Sequence, residues 1–304
     1  MNRTELKYEV EPTKVDVVRV LAAMAQIGEG PMWDAREKVL YWADITGKQL
    51  NVFNPADGSN RMFELPDLVT SIAPRQNGGL ILTLRKTIAF FDLATQKLEI
   101  LADPEPDKPG NRFNDGKVDR QGRLWAGTMG DVEWDQPLGN LYCFDGKTTR
   151  RMEEGICCSN GLGWSPDSKT MYFTESFKHR IFAYDFDAAT GNIENRRVFA
   201  QLPGHTARFP DGLTVDAEGG VWSAQPMYGC LVRYDPSGKV ERIIDLPVSR
   251  GTSAMFGGDS FDTLYVTSMR LTLSEEQLAE EPMAGSLFAL KPGIRGLAEA
   301  PFAG

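Results

Sequence analysis

Acidic and amide residues recur in short glycine-containing motifs along this chain of 304 residues. The motifs are GEGP, NDG, SNG and PDG, and they contain Glu29, Asn114, Asn160 and Asp211. Carboxylate and carboxamide oxygens are ligands that Ca²⁺ and Mg²⁺ prefer, and a mixed set with little cysteine also accepts Mn²⁺, Fe²⁺ or Zn²⁺. If the fold brings these side chains together, they form a site for one divalent metal ion.

Each motif taken alone is also an ordinary turn sequence, because Asn and Asp bond to their own backbone and Gly adopts positive φ. The prediction of a metal site therefore requires that the motifs occupy the same position in a repeated structural unit. That position is the turn just before the innermost strand of each unit. Two further units have Ser71 and Ser253 at that position. Carboxylates that converge without a cation repel each other and are costly to desolvate. Convergence of Glu29 and Asp211 thus predicts a cation beside them.

Six segments of the chain share a pattern of a turn, a short apolar run, a polar turn and a second apolar run. Corresponding residues of the second runs are Tyr41, Ile81, Trp125, Tyr172, Trp222 and Tyr265. Their separations are 40, 44, 47, 50 and 43 residues, which match the period of about 40 to 50 residues typical of propeller blades. Regular recurrence of this kind is not expected of unrelated hairpins.

Each repeat continues into a third strand-like run, such as GNLYCFDG or CLVRYDPSGK, that ends in a turn sequence. Such runs predict antiparallel meanders. One four-stranded sheet cannot bury both of its faces, whereas six sheets arranged radially can. The sequence therefore predicts an all-β, six-bladed β-propeller with a central metal site.

The ends of the chain fit a single propeller domain over residues 1–304. Residues 1–14 form a polar extension, and the alternating segment 15–21 is expected to be the strand that closes the ring. Residues 271–282 contain SEEQLAEE and predict a short polar helix or loop inserted in the last blade. A solvated insertion is favoured there over a regulatory lid.

Composition excludes several classes of function. The net charge is −9, so the chain lacks the positive footprint that nucleic-acid binding requires. No stretch reaches the roughly 20 apolar residues of a membrane span. The first residues are too polar for a signal peptide, and the four cysteines are irregularly spaced. We expect a cytoplasmic protein with reduced cysteines, a monomer or small homo-oligomer, that binds neither nucleic acid nor membranes.

Histidine-based hydrolysis is poorly supported by the sequence. His179 and His205 are the only histidines, and no Gly-x-Ser-x-Gly motif accompanies them. His205 lies a few residues before Asp211 and close in sequence to the expected channel mouth, although a surface or loop role is favoured for it. The chemistry is therefore expected to depend on the metal site.

At these motifs the chain resembles the SMP-30/gluconolactonase family, also called the regucalcin family. The resemblance runs from GEGPMWD at 28–34 to TLYVTS at 263–268, and RFNDGKVDRQGRLWAGTM at 112–129 is its most specific part. It implies a six-bladed propeller with Glu29, Asn160 and Asp211 as metal ligands. It also implies that Arg112 and Asn114 contact a sugar-like substrate, and in related phosphotriesterase propellers the equivalent Asn touches the metal.

The chain departs from the family at one substrate-binding position. Some animal members have a Glu eighteen residues beyond the Asn that corresponds to Asn114, where this chain has Val132. Asp131 and Glu133 flank it, and either is a candidate substitute. The departure concerns sugar specificity and leaves the metal ligands intact.

These residues predict a metal-dependent lactonase that hydrolyses a sugar-acid lactone to the aldonic acid. Asp211 is the candidate catalytic residue because a carboxylate beside the metal can take a proton from the attacking water. Two alternatives stay open. One is an organophosphate or aryl-ester hydrolase, whose relatives tend to bind two calcium ions. The other is a non-catalytic metal-binding propeller, since YWAD at 41–44 is similar to the YWTD repeats of interaction propellers.

Overall fold

A computed structural model describes residues 8, 10–202 and 209–304. In these residues the chain forms six four-stranded antiparallel sheets, and the six-bladed propeller predicted from the repeats is confirmed. Strand β1 (Val18–Leu21) comes first in the chain but belongs to the last blade. The strands of blade one are β2 (Gly28–Asp34), β3 (Val39–Asp44), β4 (Gln49–Asn54) and β5 (Ser59–Glu64).

Blades two and three continue the same meander. The strands of blade two are β6 (Val69–Pro74), β7 (Leu80–Leu84), β8 (Ile88–Phe91) and β9 (Leu98–Ala102). The strands of blade three are β10 (Asn111–Val118), β11 (Leu124–Gly130), β12 (Gly139–Phe144) and β13 (Thr149–Ile156). In every blade the first of these strands is innermost.

Blades four to six complete the ring. The strands of blade four are β14 (Ser159–Trp164), β15 (Thr170–Glu175), β16 (Arg180–Asp187) and β17 (Asn192–Gln201). The strands of blade five are β18 (Leu213–Val215), β19 (Val221–Gln225), β20 (Cys230–Tyr234) and β21 (Val240–Asp245). The strands of blade six are β22 (Gly251–Gly257), β23 (Thr263–Ser268), β24 (Leu287–Leu290) and β1.

The first strand of the chain is the outer strand of blade six. Strand β1 pairs antiparallel with β24, with Val18 opposite Ala289 and Leu21 opposite Leu287. Residues from the two ends of the chain therefore share one sheet. Because the chain runs from β1 into β2 of blade one, these hydrogen bonds within blade six close the ring.

Aromatic side chains fill the spaces between neighbouring blades. Trp125 of β11 is fully buried and packs edge-on against Trp164 of blade four at a centroid distance of 6.2 Å. Trp222 of β19 packs in the same way against Phe256 of blade six at 6.1 Å. All six second-run residues of the repeat lie in second strands. The repeat is thus the pattern of side chains that each blade buries against the next.

The inner strands are irregular near the positions predicted to bind a metal. The register between inner and second strands shifts at Glu29–Met32, Val69–Ser71, Phe113–Gly116, Asn160–Leu162 and Gly251–Ser253. In blade five the inner strand β18 begins only after Asp211 and Gly212. A β-bulge bends its strand and redirects the side chains beside it. These irregularities recur at one phase and direct polar side chains towards the propeller axis.

Most of the motif residues lie within the inner strands rather than in turns before them. Glu29, Asn114 and Asn160 belong to β2, β10 and β14, and only Asp211 precedes its strand. The turn interpretation of these motifs is therefore wrong for three of the four. Their glycines serve close approach between blades, because a Cβ at Gly161 would lie 2.7 Å from the backbone oxygen of Asp211. Real Cβ atoms do not approach backbone so closely.

The C-terminal segment crosses the face of the propeller at which the inner strands end. Phe302 is fully buried and stacks on Phe144 at a centroid distance of 5.9 Å. The backbone N–H of Phe302 donates to Pro74 O at 2.8 Å, and that of Ala303 donates to Gly122 O at 3.0 Å. The segment therefore ties blades two and three together on the face opposite the start of the inner strands.

A short helix interrupts the last blade between β23 and β24. Helix α1 (Glu275–Glu280) begins with a capping box in which the Ser274 side chain accepts from the Gln277 N–H. Such a box satisfies two backbone donors at the helix start. The described residues contain no helix that is long and apolar enough to cross a membrane.

Candidate metal and substrate cavity

A cavity of about 320 Å³ opens on the face of the propeller where the inner strands begin. The five residues predicted for the site all line it: Glu29, Arg112, Asn114, Asn160 and Asp211. They come from four different blades, so only the closed ring places them side by side. Because the motifs recur at one position of the repeat, closing the ring brings their side chains together.

The three residues implied as metal ligands are buried at the floor of the cavity. Glu29, Asn160 and Asp211 are 7%, 5% and 5% exposed. The Gly30 N–H donates to Glu29 Oε2 at 2.9 Å. The Asn160 amide nitrogen donates to Ser176 Oγ at 2.9 Å, and this hydroxyl donates to Pro210 O at 2.7 Å. Ser176 thus connects Asn160 to the backbone just before Asp211 and fixes their relative position.

The electrostatics of the floor disfavour negative charge. Burial raises the pKa of Glu29 well above its usual range, and the Asp211 and Asp115 carboxylates raise it further. Burial likewise raises the pKa of Asp211, with a further contribution from Asp115. Among the ion pairs of the described residues, none involves Glu29 or Asp211. The floor therefore contains two buried carboxylates without a described cationic partner.

Asp115 is a third acidic group near the floor that sequence reasoning did not select. Burial raises its pKa to about 6, and Lys117 opposes the shift. The Lys117 ammonium lies deeper along the channel, where it donates to Leu213 O at 2.9 Å. Aligning the glycines of NDG, SNG and PDG identifies Asp115. In this alignment Asp115 takes the place of Asn160 and Asp211, each of which directly precedes the glycine of its motif.

The donor set of the floor fits an oxygen-ligated divalent cation. Within the described ranges, no group of three His, Cys, Asp or Glu side chains could hold a metal ion. The set implied by the family instead combines two carboxylates, Glu29 and Asp211, with the amide oxygen of Asn160. A mixed carboxylate and amide set is typical of Ca²⁺ and related hard ions. A cation would also relieve the unfavourable burial of the two carboxylates.

The side chain of Asn114 is held by neighbouring residues at both ends. Its Oδ1 accepts from Arg112 Nη1 at 2.8 Å. Its amide nitrogen donates to Ser159 O at 2.8 Å and to Asn160 Oδ1 at 3.3 Å. The oxygen of Asn114 therefore faces Arg112, and its nitrogen faces the predicted ligand Asn160. In this arrangement Asn114 orients the amide of Asn160 and does not offer an oxygen to the floor.

Arg112 is buried beside the cavity and paired with Asp131. Its Nε lies 3.1 Å from Asp131 Oδ1, and its Nη1 also donates to Phe113 O at 2.9 Å. Burial lowers the pKa of Arg112, and the Asp131 carboxylate opposes that shift. The other oxygen of Asp131 accepts from Arg85, and Arg85 Nε is paired with Asp67 at 3.1 Å. A chain of alternating charges thus leads from the surface to Arg112.

The structure distinguishes the residues around position 132. Val132 is 88% exposed, and Glu133 is exposed as well. Asp131 uses both carboxylate oxygens for arginines. The neighbouring Trp134 lines the cavity, and its Nε1 donates to Asp131 O at 3.0 Å. Asp131 therefore contacts the predicted substrate-binding Arg112, whereas Val132 and Glu133 point to solvent.

Ser71 and Ser253, which the repeat predicts at the axis, do not occupy the same position of the repeat as Asn160 and Asp211. Ser71 Oγ packs where a Cβ on Gly116 would stand, and Ser253 packs in the same way against Gly212. Thr252 lines the cavity in place of Ser253. Its Oγ1 donates to Gly28 O at 2.5 Å and lies 2.9 Å from Thr267 Oγ1. The predicted position of Ser253 is therefore offset by one residue from the residue that faces the cavity, Thr252.

The upper wall of the cavity is largely apolar. Phe177 and Phe209 contact each other there at a centroid distance of 5.6 Å. Cys158 lies lower, with its Sγ 3.6 Å from the sulfur of Met129. Burial raises the pKa of Cys158 far above its usual value, so the thiol is protonated. His179 also lines the wall, whereas the predicted position of His205 lies outside the described residues.

Comparison with known proteins identifies the family. The family model described as SMP-30/Gluconolactonase/LRE-like region matches residues 27–270. The chain belongs to this family. The SMP-30/gluconolactonase resemblance inferred from the RFNDGK, SNG and PDG motifs is therefore confirmed.

Individual members of the SMP-30/gluconolactonase family match nearly the whole chain. A 6-deoxy-6-sulfogluconolactonase of Pseudomonas putida is 38% identical over 281 residues, which cover 91% of this chain and 95% of that protein. Regucalcin of Gallus gallus is 36% identical over 287 residues, covering 92% and 95%. A solved regucalcin of Agrobacterium tumefaciens, a calcium-binding protein, superposes with a TM-score of 0.89 at 28% identity, covering 93% and 96%. The shared fold thus extends over both the ring and the cavity.

Proposed function

We propose that the protein is a divalent-metal-dependent lactonase that hydrolyses a sugar-acid lactone to the aldonic acid. The observation that carries the proposal is the position of Arg112 beside Glu29, Asn160 and Asp211 in one cavity. Support comes from two relatives of the family, one named as a sulfogluconolactonase and one as a calcium-binding protein. We further propose Glu29, Asn160 and Asp211 as the ligands of one ion, with Ca²⁺, Zn²⁺, Mn²⁺, Mg²⁺ and Fe²⁺ as candidates.

A cation at the floor would polarise the lactone carbonyl and stabilise the negative charge that develops on its oxygen. Asp211 in its ionised form accepts a proton from the water that attacks the carbonyl carbon. The bond between that carbon and the ring oxygen then breaks, and the ring oxygen leaves as a hydroxyl group after taking the proton that Asp211 received from the water. Arg112 donates N–H groups to substrate oxygens and fixes the orientation of the ring.

The protonation state of Asp211 is set by two opposing effects. Burial raises the pKa of the Asp211 carboxyl and favours its neutral form. A nearby cation favours the ionised form. The base function of Asp211 is thus expected only when the floor is occupied by a metal ion. This links the chemistry to the metal without a further catalytic group.

A lactone panel assayed after chelation and re-addition of single metals tests the proposal. Proton release is followed with a pH indicator for gluconolactone, galactonolactone, xylonolactone and arabinonolactone. We expect no turnover in the chelated protein, recovery with at least one metal, and a loss of about a hundredfold or more in kcat for Asp211→Asn. The exposed Asp245→Asn serves as the matched control. Metal-independent turnover, or full activity of Asp211→Asn, would contradict the proposal.

The alternatives from the sequence make different predictions in the same experiment. An organophosphate or aryl-ester hydrolase would bind two metal ions per chain and cleave phenyl acetate or paraoxon faster than any lactone. A non-catalytic propeller would bind the metal and leave every ester in the panel intact. A cytoplasmic location and a monomeric or small oligomeric state stay predictions.

A further inference from the structure

The cavity is divided into a polar floor and an apolar wall. The floor is formed by the residues assigned to the metal and to the reacting carbonyl. The apolar wall consists of Ile27, Ile45, Phe177, Phe209, Met227 and Leu271. A lactone bound with its carbonyl at the floor would direct the far end of its carbon chain towards this wall.

His179 apart, few polar groups of the described lining are available to hydroxyls far from the carbonyl. Both ends of the Asn114 amide are bonded to protein groups. The Thr252 hydroxyl is bonded to Gly28 O and contacts Thr267. Thr272 is exposed and lies where the cavity meets solvent. A hydroxyl buried against the apolar side chains, away from His179, would therefore lose its water without gaining a partner, which is unfavourable.

We propose that the preferred substrates are lactones of deoxy-sugar acids, in which the terminal carbon carries no hydroxyl group. The hydroxyls near the carbonyl meet Arg112 and the floor, and the terminal methyl group meets Phe177 and Phe209. This inference rests on the proposed lactonase function and adds the chemical class of the substrate. An apolar pocket that meets an added hydroxyl discriminates by about a hundredfold at most.

Matched lactone pairs that differ only in the terminal hydroxyl test the inference. L-rhamnono-1,4-lactone is compared with L-mannono-1,4-lactone, and D-fucono-1,4-lactone with D-galactono-1,4-lactone, using the metal-loaded protein. We expect kcat/KM to be about ten- to a hundredfold higher for the deoxy member of each hydrolysed pair. Equal values, or a preference for the hydroxylated member, would overturn the inference and leave the lactonase function standing. No hydrolysis of any member would overturn both.

A substitution that adds one hydroxyl to the apolar wall provides a second test of the inference. Phe177→Tyr retains the ring and places a hydrogen-bonding group where the terminal carbon is expected. We expect the preference for the deoxy member to fall about threefold or more, mainly through a lower KM for the hydroxylated lactone. The control is Phe63→Tyr, since Phe63 lies in β5 away from the cavity and packs against Phe91. An unchanged preference in a folded Phe177→Tyr protein would count against the inference.

Discussion

The guanidinium of Arg112 is held by the carboxylate of Asp131, with Arg112 Nε 3.1 Å from Asp131 Oδ1. Asp131 is itself bonded to Arg85, so neither of its oxygens is without a partner. Arg112 in turn donates to Asn114, whose amide nitrogen contacts Asn160. The orientation of a predicted metal ligand thus depends on an ion pair at the edge of the cavity.

Replacing Asp131 by Asn is expected to impair substrate binding through Arg112. The change removes the charge that opposes the burial of Arg112 and weakens the hydrogen bond that fixes its plane. We predict that kcat/KM falls about tenfold, mostly by an increase in KM, because a hydrogen bond to a charged group contributes about 1.5 to 3 kcal/mol. Steady-state kinetics with the best lactone of the panel measures the split between kcat and KM.

The neighbouring carboxylate offers a matched control for that change. Glu133→Gln removes a charge two residues away, at an exposed position. Its kinetics should equal those of the unchanged protein. If Glu133→Gln raised KM and Asp131→Asn did not, Glu133 would be the residue that contacts substrate, and the positioning role of Asp131 would be wrong.

Removing the metal is expected to make stability fall as the pH rises. The pKa values of Glu29, Asp115 and Asp211 are raised in the folded chain by burial. The folded state therefore binds more protons than the unfolded state, and stability is lost as the pH passes from about 4 towards and above 6. Thermal unfolding in chelator should give a higher Tm at pH 5 than at pH 8.

Adding Ca²⁺ at pH 8 should reverse that loss, because a cation that binds only the folded state raises its stability by mass action. The double variant Glu29→Gln, Asp211→Asn tests the origin of the effect. It should reduce the pH dependence in chelator to the part that comes from Asp115, and it should abolish the response to Ca²⁺. A steep pH dependence that survives in the double variant would locate its source elsewhere in the molecule.

The sequence was sufficient for the fold because the signal is repeated. Buried aromatic and branched residues recur once per blade, and residues such as Trp125 and Trp222 pack between blades wherever the repeat places them. The convergence of Glu29, Asn160 and Asp211 could also be anticipated from the phase of their motifs. Residues at the same position of successive repeats become neighbours when the repeats close into a ring.

Other features depend on local backbone irregularity and on contacts distant in sequence. The bulge before Ser253 places Thr252 in the cavity, and a one-residue shift of this kind reverses which face a side chain occupies. The pairing of Arg112 with Asp131 requires the two ends of the β10–β11 hairpin to meet, with Met129 opposite Arg112. Neither contact can be predicted from residue type alone.

The different orientations of two amides predict different effects on metal binding. Asn160 is a proposed ligand through Oδ1, whereas the oxygen of Asn114 is bonded to Arg112. Asn160→Ala should lower Ca²⁺ affinity about ten- to a hundredfold or more, and Asn114→Ala should lower it less while raising the KM for lactone. Titration calorimetry of both variants measures the difference. Equal losses of affinity would show that Asn114 is itself a ligand.

Gly161 couples the packing of the ring to the geometry of the floor. It follows Asn160 directly, and a Cβ there would lie 2.6 Å from Leu213 N and 2.7 Å from Asp211 O. Gly161→Ala should therefore push blades four and five apart, with a loss of about 1 to 3 kcal/mol in the free energy of unfolding and weaker Ca²⁺ binding. Denaturant unfolding and calorimetry measure the two effects. Gly110→Ala is the control, because a Cβ at Gly110 would meet nothing within 4 Å, and wild-type Ca²⁺ affinity in Gly161→Ala would show that the ligands tolerate separation of these blades.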